Sequence, residues 1–270
     1  RPNLLNEFRY GFLRQVVDKR ELTEEPFAEA TRRYGLNVPS TGRLFGLPQF
    51  TLSGRVAYQG LGEPGSMPNF KIHQVHQYLN NVSWNRGNHN FKFGADLRWN
   101  RSDIFGGNSS HGSFNFDGTY TGSALADFML GYIRNDSVNP AHTSTDLKNL
   151  WQGYFVNDDW KATSNLTLNL GLRYDYFQPY KQSDDKFVNI EQNGFIVAGL
   201  TNPQTSRYGR ALIAPDRNNF GPRFGFAYRP AFVEDAVIRG GYGIYYTPQI
   251  SNAIFAMAEG AQATAGARAD

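Results

Sequence analysis

Residues 166–176 read LTLNLGLRYDY, a strict alternation of apolar and polar side chains. Because successive side chains of a β-strand point to opposite faces, one face of this strand carries only leucines and tyrosines. The other face carries threonine, asparagine, glycine, arginine and aspartate. A long strand with one apolar face, one hydrated face and tyrosines at its end is typical of a transmembrane β-barrel.

The same alternation recurs in four further segments, each with a charged or glycine-rich second face. These segments are residues 7–12, 89–100, 220–230 and 238–246. Together, the five segments favour a barrel, although a soluble β-sandwich also has a polar outer face. In the barrel, the side chains predicted to face lipid are Leu168, Leu170, Leu172, Phe224, Phe226, Tyr242 and Ile244.

Composition narrows the class of protein. No run approaches the ~20 apolar residues of a membrane helix, which excludes a helical membrane protein. Aromatic residues make up 15% of the chain and glycine occurs 28 times, and both suit barrel walls. There is no cysteine, so neither a disulfide framework nor a thiolate metal site is expected. The net charge is +3 with scattered arginines, which argues against a nucleic-acid partner.

Short and long connections alternate along the chain. Tight turns are predicted at 84–89, 161–165 and 230–235, between strands that form hairpins over 75–100, 149–177 and 219–246. Long polar stretches cover roughly 17–48, 101–146 and 181–218. Outer-membrane barrels have short periplasmic turns and long extracellular loops. We therefore predict an all-β fold, part of an antiparallel transmembrane β-barrel with long extracellular loops.

One of these loops contains a predicted short helix over residues 123–131. Ser123 is a good N-cap and Gly131 a good C-cap. Helical spacing would place Leu125, Phe128 and Tyr132 on one face. A second short helix is predicted within residues 21–34.

Several blocks of the sequence resemble TonB-dependent transporters, in particular the Oar-like subgroup. They are NNVSWNRGNHNFKFGADLRWNRS (80–102), GSALADFMLGY (122–132), GYFVNDDWKATSNLTLNLGLRYDYFQP (153–179), NNFGPRFGFAYRP (218–230) and VIRGGYGIYYTP (237–248). The resemblance is to the barrel domain only. It implies that residues 1–270 form part of an outer-membrane barrel domain, without the plug domain or a signal peptide.

The resemblance also implies a function and partners. We expect uptake of a large solute, such as a glycan, peptide or metal chelate, across a bacterial outer membrane. The expected partners are outer-membrane lipid, the remainder of the barrel and its plug, and a TonB-type energy-transducing protein. Two alternatives stay open: a surface barrel for adhesion without transport, and a soluble carbohydrate-binding β-sandwich.

Charged side chains on the polar faces are the candidate ligand- or plug-facing residues of the lumen. They are Lys92, Asp96, Arg98, Arg173, Asp175, Arg223 and Arg239. On neighbouring strands, such charges would also form salt-bridged ladders across the wall. The sequence has no nucleophile elbow, and the GLGEPG stretch at 60–65 is not followed by a helix. We therefore expect no enzymatic activity, no cofactor and no metal site.

Overall fold

A computed structural model describes residues 3–21, 23–38, 45–54, 60–106, 109–138, 143–193, 196–233 and 236–248. These residues form two compact units. The first comprises the described parts of Arg1–Arg14, His73–Arg101 and Leu147–Ile254. The second comprises the described parts of Gln15–Ile72 and Ser102–Asp146.

The chain is built mainly from strands. In order, the elements are β1 (Leu4–Lys19), α1 (Phe27–Arg33), β2 (Gln49–Leu52), β3 (Asn69–Arg86), β4 (His89–Gly106), β5 (Ser113–Phe116), α2 (Ala124–Leu130), β6 (Asn135–Ser137), β7 (Thr143–Lys161), β8 (Leu166–Phe177), β9 (Lys181–Gln182), β10 (Asn189–Asn193), β11 (Ile196–Thr201), β12 (Phe220–Tyr228) and β13 (Ile238–Gly243). A single 3₁₀ turn covers Gly209–Ala211.

The main sheet has the strand order β1-β3-β4-β7-β8-β12-β13, with the short β9 beside β7. The pairs β7–β8, β8–β12 and β12–β13 are antiparallel. Short turns join β3 to β4 and β7 to β8, so the predicted hairpins are confirmed, as is the third between β12 and β13. Within the described residues the sheet stays open, with β1 and β13 at its edges.

The register separates the two predicted faces of this sheet. Leu170 lies opposite Phe224, and Phe224 lies opposite Tyr242. One residue away, Arg223 lies opposite Gly171 and Gly243. Directly paired side chains share a face, so one face is predominantly apolar and the other carries the arginines and glycines, as the alternation predicts.

Strand β7 is the least regular part of this pattern. Asp158 lies opposite Leu170 on the apolar face, while Phe155 lies opposite Arg173 on the polar face. The apolar–polar alternation is weaker in β7 than in β8, so the sequence pattern alone does not predict clearly that β7 belongs to the wall. Its place follows instead from pairing with β8 along eleven residues, Trp151–Lys161.

The second unit contains a small sheet of its own, in the order β2-β5-β6. Strand β2 pairs with β5 in parallel, and β5 pairs with β6 antiparallel. The ring of Phe128 on α2 packs edge-on against Phe50 and Phe116, at centroid distances of 5.6 and 5.3 Å. Phe116 and Leu52 are buried.

Helix α2 has the predicted caps. The side chain of Ser123 accepts a hydrogen bond from the Ala126 amide at 3.5 Å, and Gly131 adopts φ +74°. The helix ends at Leu130, so Tyr132 lies outside it. Leu125 and Tyr132 are exposed, whereas Phe128 packs against Phe50 and Phe116. The fully buried helix residue is Asp127, which is drawn in by the backbone amides that precede the helix.

Helix α1 is shorter than the predicted 21–34 segment and starts only at Phe27. Pro26 explains this start, since a proline disfavours the helical conformation of the residue before it. Phe27 is buried and contacts the ring of His111, also buried, at 5.6 Å between centroids.

Candidate functional site

Six of the seven predicted lumen residues surround two hollows on the polar face of the first unit. One hollow of about 200 Å³ contains Asp96, Arg98, Arg173, Asp175 and Arg223. The other, about 420 Å³, contains Lys92 and again Arg223. Arg239 lies on the same face, opposite Ala227, but outside both hollows in the part of the chain that the structure describes.

The first charged pair lies along β4. An Nη atom of Arg98 is 2.8 Å from the carboxylate of Asp96, two residues earlier on the same face. Gln77 on the neighbouring β3 donates a second hydrogen bond to Asp96 at 2.8 Å. Asp96 is only 9% exposed, so these donors compensate for its removal from water.

The second pair repeats this arrangement along β8. Arg173 donates through Nε to both carboxylate oxygens of Asp175, each at 2.9 Å. Gly153 lies directly opposite Asp175 on β7. A Cβ atom at position 153 would overlap the Arg173 guanidinium and lie 2.9 Å from Asp175 Oδ1. The ion pair therefore lies flat against the wall only because residue 153 has no side chain.

A third pair crosses between strands, as the predicted ladder requires. Lys92 on β4 lies 3.4 Å from Asp159 on β7. Asn169 on β8 donates to the other oxygen of Asp159 at 2.6 Å. Lys92 and Asp159 are 51% and 37% exposed at their side chains, so this pair contributes little to stability. Its effect is to place a matched pair of charges at the rim of the larger hollow.

Arg223 differs from the other cations of the site. It borders both hollows, and its guanidinium carbon lies 4.7 Å from the centroid of the Tyr245 ring. Its Nε–H is buried, and among the described residues it meets neither a hydrogen-bond acceptor nor a carboxylate. The guanidinium is thus held by an aromatic ring rather than by an opposite charge.

Sequence reasoning missed several residues of this site. Gly153 could have been found, since a glycine inside a strand often marks the close approach of another group. Tyr245 is at the same alternating positions as Arg239 and belongs to the polar face. It was not among the candidate lumen residues because those were chosen for their charge. Gln77 lies in a strand whose faces are both partly polar, so its partner Asp96 was visible only in the fold.

The arrangement offers charged and hydrogen-bonding groups that can bind polar ligands. Within the described ranges, no three His, Asp or Glu side chains converge as metal ligands would. Also in this part of the chain, no helix combines the length and apolarity needed to cross a bilayer. What the site offers is fixed charge, hydrogen-bond donors and room for solvent on one face of a wide sheet.

A family model described as an outer membrane beta barrel domain matches residues 1–268. The chain belongs to this family. A search of curated proteins returned no match.

Membership in the outer-membrane barrel family places the protein in the bacterial outer membrane, in association with its lipid. It also sets aside the soluble β-sandwich. In a barrel of this family, the apolar face is the one compatible with lipid, because a charged side chain there is costly near the bilayer centre. Lumen contact by the polar face, with its two hollows, stays a prediction.

Proposed function

We propose that this outer-membrane barrel domain forms part of the wall of an energised transporter for a large solute. A TonB-type partner in the inner membrane would supply the energy. The solute would be a glycan, a peptide or a metal chelate. The observation that carries the proposal is the polar face itself, where the hollows of about 200 and 420 Å³ are bordered by paired charges.

The physical support is the contrast between this face and a packed core. A narrow barrel fills its interior with side chains, whereas a wide one leaves water inside. Here glycines alternate with long charged residues, so the face is uneven and hydrated. Family resemblance in the blocks at 80–102 and 153–179 supports the choice of a TonB-dependent system.

A second candidate is adhesion at the cell surface without transport. It is favoured by the second unit, where a hollow of about 630 Å³ is lined mainly by apolar and aromatic side chains. These include Phe50, Phe114 and Phe128, with the half-exposed Leu61 at the margin. A surface of this kind can bind a partner without any passage through the wall.

Uptake experiments separate the two candidates. Cells would be given three probes: a fluorescein-labelled oligosaccharide, a labelled oligopeptide mixture and an iron-loaded catecholate chelate. Transport predicts that periplasmic accumulation of one probe falls to background when either this gene or the TonB-type gene is deleted. Adhesion predicts that deletion of this gene abolishes surface attachment, whereas deletion of the TonB-type gene has no effect on it. Such a result, with no probe taken up, would contradict the transport proposal.

A further inference from the structure

We propose that Arg223 binds an oxyanion group, a carboxylate, phosphate or sulfate, carried by the solute. This inference rests on the proposed function, in which the polar face lines the lumen. It adds a substrate class: the solute is acidic rather than neutral or cationic.

The first argument is the charge balance around the smaller hollow. Arg98 is paired with Asp96, and Arg173 with Asp175, at 2.8 Å in each case. Arg223 borders the same hollow and has no carboxylate partner among the described residues. Three guanidinium groups and two carboxylates therefore leave one positive charge in excess, and that charge belongs to Arg223.

The second argument is the register. Arg223 lies opposite Gly171 on β8 and opposite Gly243 on β13. The cross-strand positions that usually supply a partner for a strand residue are thus empty of side chains on both sides. Gly225 and Gly241, which form the next pair, line the larger hollow together with Gly171 and Gly243. The glycines therefore place no anion beside the guanidinium. Asn157 covers Gly171 and the Tyr245 ring lies against Gly243, and the larger hollow lies next to these side chains.

The third argument is the orientation that Tyr245 gives to Arg223. The ring lies 4.7 Å from the guanidinium carbon and covers part of the side chain. A guanidinium presents its N–H groups in a fixed plane that matches the oxygens of carboxylate and phosphate. Arg223 is held by an aromatic ring, borders a hollow and has no carboxylate partner among the described residues. These are the properties of an oxyanion-binding site.

The test uses tryptophan fluorescence, because Trp151 lines the hollow that contains Arg223. The other three tryptophans lie on the apolar face: Trp84 contacts Phe91, Trp99 contacts His76, and Trp160 lies opposite Leu168. The full chain in lipid, with W84F, W99F and W160F, leaves Trp151 as the only reporter. Quenching is then compared for iodide, an anion, and acrylamide, which is neutral.

We expect Arg223→Gln to lower the iodide quenching constant about threefold at low salt and to leave acrylamide quenching unchanged. Threefold is the effect of removing one charge at about 6 Å in water. Arg223→Lys retains the charge and should keep most of the iodide effect. Arg239→Gln is the matched control, since it removes an arginine from the same face outside the hollows. Acrylamide quenching also shows whether each variant has folded around Trp151.

Competition identifies the anion. Sodium phosphate and sodium acetate, at constant ionic strength, should protect Trp151 from iodide in the parent but not in Arg223→Gln. Protection by only one of them selects phosphate or carboxylate. Equal iodide quenching in the parent, Arg223→Gln and Arg239→Gln would overturn the inference. These measurements do not depend on transport. If no probe shows TonB-dependent uptake while the iodide effect of Arg223 is present, only the proposed function is overturned.

Discussion

His89 Nδ1 lies 2.7 Å from a carboxylate oxygen of Asp158 on the predominantly apolar face of the sheet. The imidazole stacks on Phe91 and Trp160, each with a centroid distance of 5.4 Å. His89 is the first residue of β4, and Asp158 lies near the end of β7, so the pair is close to the short turns. In outer-membrane barrels the short turns lie at the edge of the bilayer, where a polar pair costs far less than at its centre.

Removal of one partner of this pair should be more harmful than removal of both. His89→Phe leaves the Asp158 carboxylate without its hydrogen bond, and we expect a loss of about 1–3 kcal/mol in the free energy of unfolding. The double variant His89→Phe/Asp158→Leu should recover most of that loss, because no unpaired charge remains. Urea unfolding in lipid vesicles, followed by heat-modifiable gel mobility, measures both. A double variant as unstable as the sum of the single variants would contradict this account.

An arginine on the apolar face should block assembly where no acid is near. Leu170 is a poor site for this test, since an arginine there could reach Asp158 directly opposite. Phe226 lies opposite Leu168 and Gly240, with no acid at the neighbouring positions, so Phe226→Arg should lose about 2–4 kcal/mol. Asn169→Arg on the polar face lies next to Asp159 and should assemble normally. Equal amounts of the two variants in the outer membrane would mean that the faces are assigned incorrectly.

The chain has no cysteine, so single cysteines report on each face without interference. We expect Asn169→Cys to react with a water-soluble, membrane-impermeant maleimide in intact outer membranes. Leu172→Cys should react only after detergent solubilisation, because lipid covers it. The measurement is the extent of labelling on a gel. The assignment of the polar face to the lumen fails if both cysteines are protected until detergent is added.

Gly153→Ala should destabilise the wall, whereas Gly225→Ala should not. A methyl group at 153 displaces the Arg173 guanidinium from Asp175, and the broken ion pair costs about 1–2 kcal/mol. At Gly225 the added atom meets Asn169 at an ordinary 3.4 Å. Alanine also lowers the conformational entropy of the unfolded chain, so we expect Gly225→Ala to be neutral or slightly stabilising. The midpoints of urea unfolding of the two variants measure this difference. A smaller loss of stability in Gly153→Ala than in Gly225→Ala would contradict the close packing at residue 153.

Asp127 makes the loop unit sensitive to acid. Burial alone would raise the pKa of Asp127, yet the Thr121 hydroxyl at 2.6 Å and the amides of Tyr120 and Thr121 hold its pKa below the ordinary value of 3.8. Since the pKa is lower in the folded state, the carboxylate stabilises the fold above its unfolded pKa. That contribution disappears as the pH falls through the folded pKa.

Hydrogen–deuterium exchange tests this dependence. Protection of the Tyr120 and Thr121 amides should persist at about pH 5 and decline below about pH 4. Asp127→Asn should reduce that protection at neutral pH and remove most of its further decline in acid. Unchanged protection in Asp127→Asn would show that the carboxylate does not hold this loop. Asp136, exposed on β6, gives the control variant Asp136→Asn.

The wall strands were predictable because their two faces meet different solvents. Leu168, Leu170 and Leu172 alternate with Asn169 and Arg173, and the register with β12 keeps each of these residues on its predicted face. The helix at 124–130 was predictable from Ser123 and Gly131, since caps are local. Both kinds of signal depend on neighbours within a few residues.

What could not be predicted depends on partners distant in sequence. Arg223 was one of seven candidate charges, and only the fold shows that it has no carboxylate partner among the described residues and lies opposite Gly171 and Gly243. The inward turn of Asp127 instead of Leu125 comes from amides outside the helix. In the small sheet of the second unit, β2 pairs with β5 although sixty residues separate them in the chain. Both strands have only four residues, which is too short for an alternating pattern to be recognised in the sequence.

The parallel pairing of Gln49–Leu52 with Ser113–Phe116 has an immunological consequence. Two connections far apart in the chain share backbone hydrogen bonds, so an antibody that binds this surface would recognise residues of both connections in their paired form. Serum raised against a linear peptide from either connection would meet a strand whose edge is already occupied. A vaccine antigen or imaging reagent directed at this protein should therefore present both connections together, in their paired form.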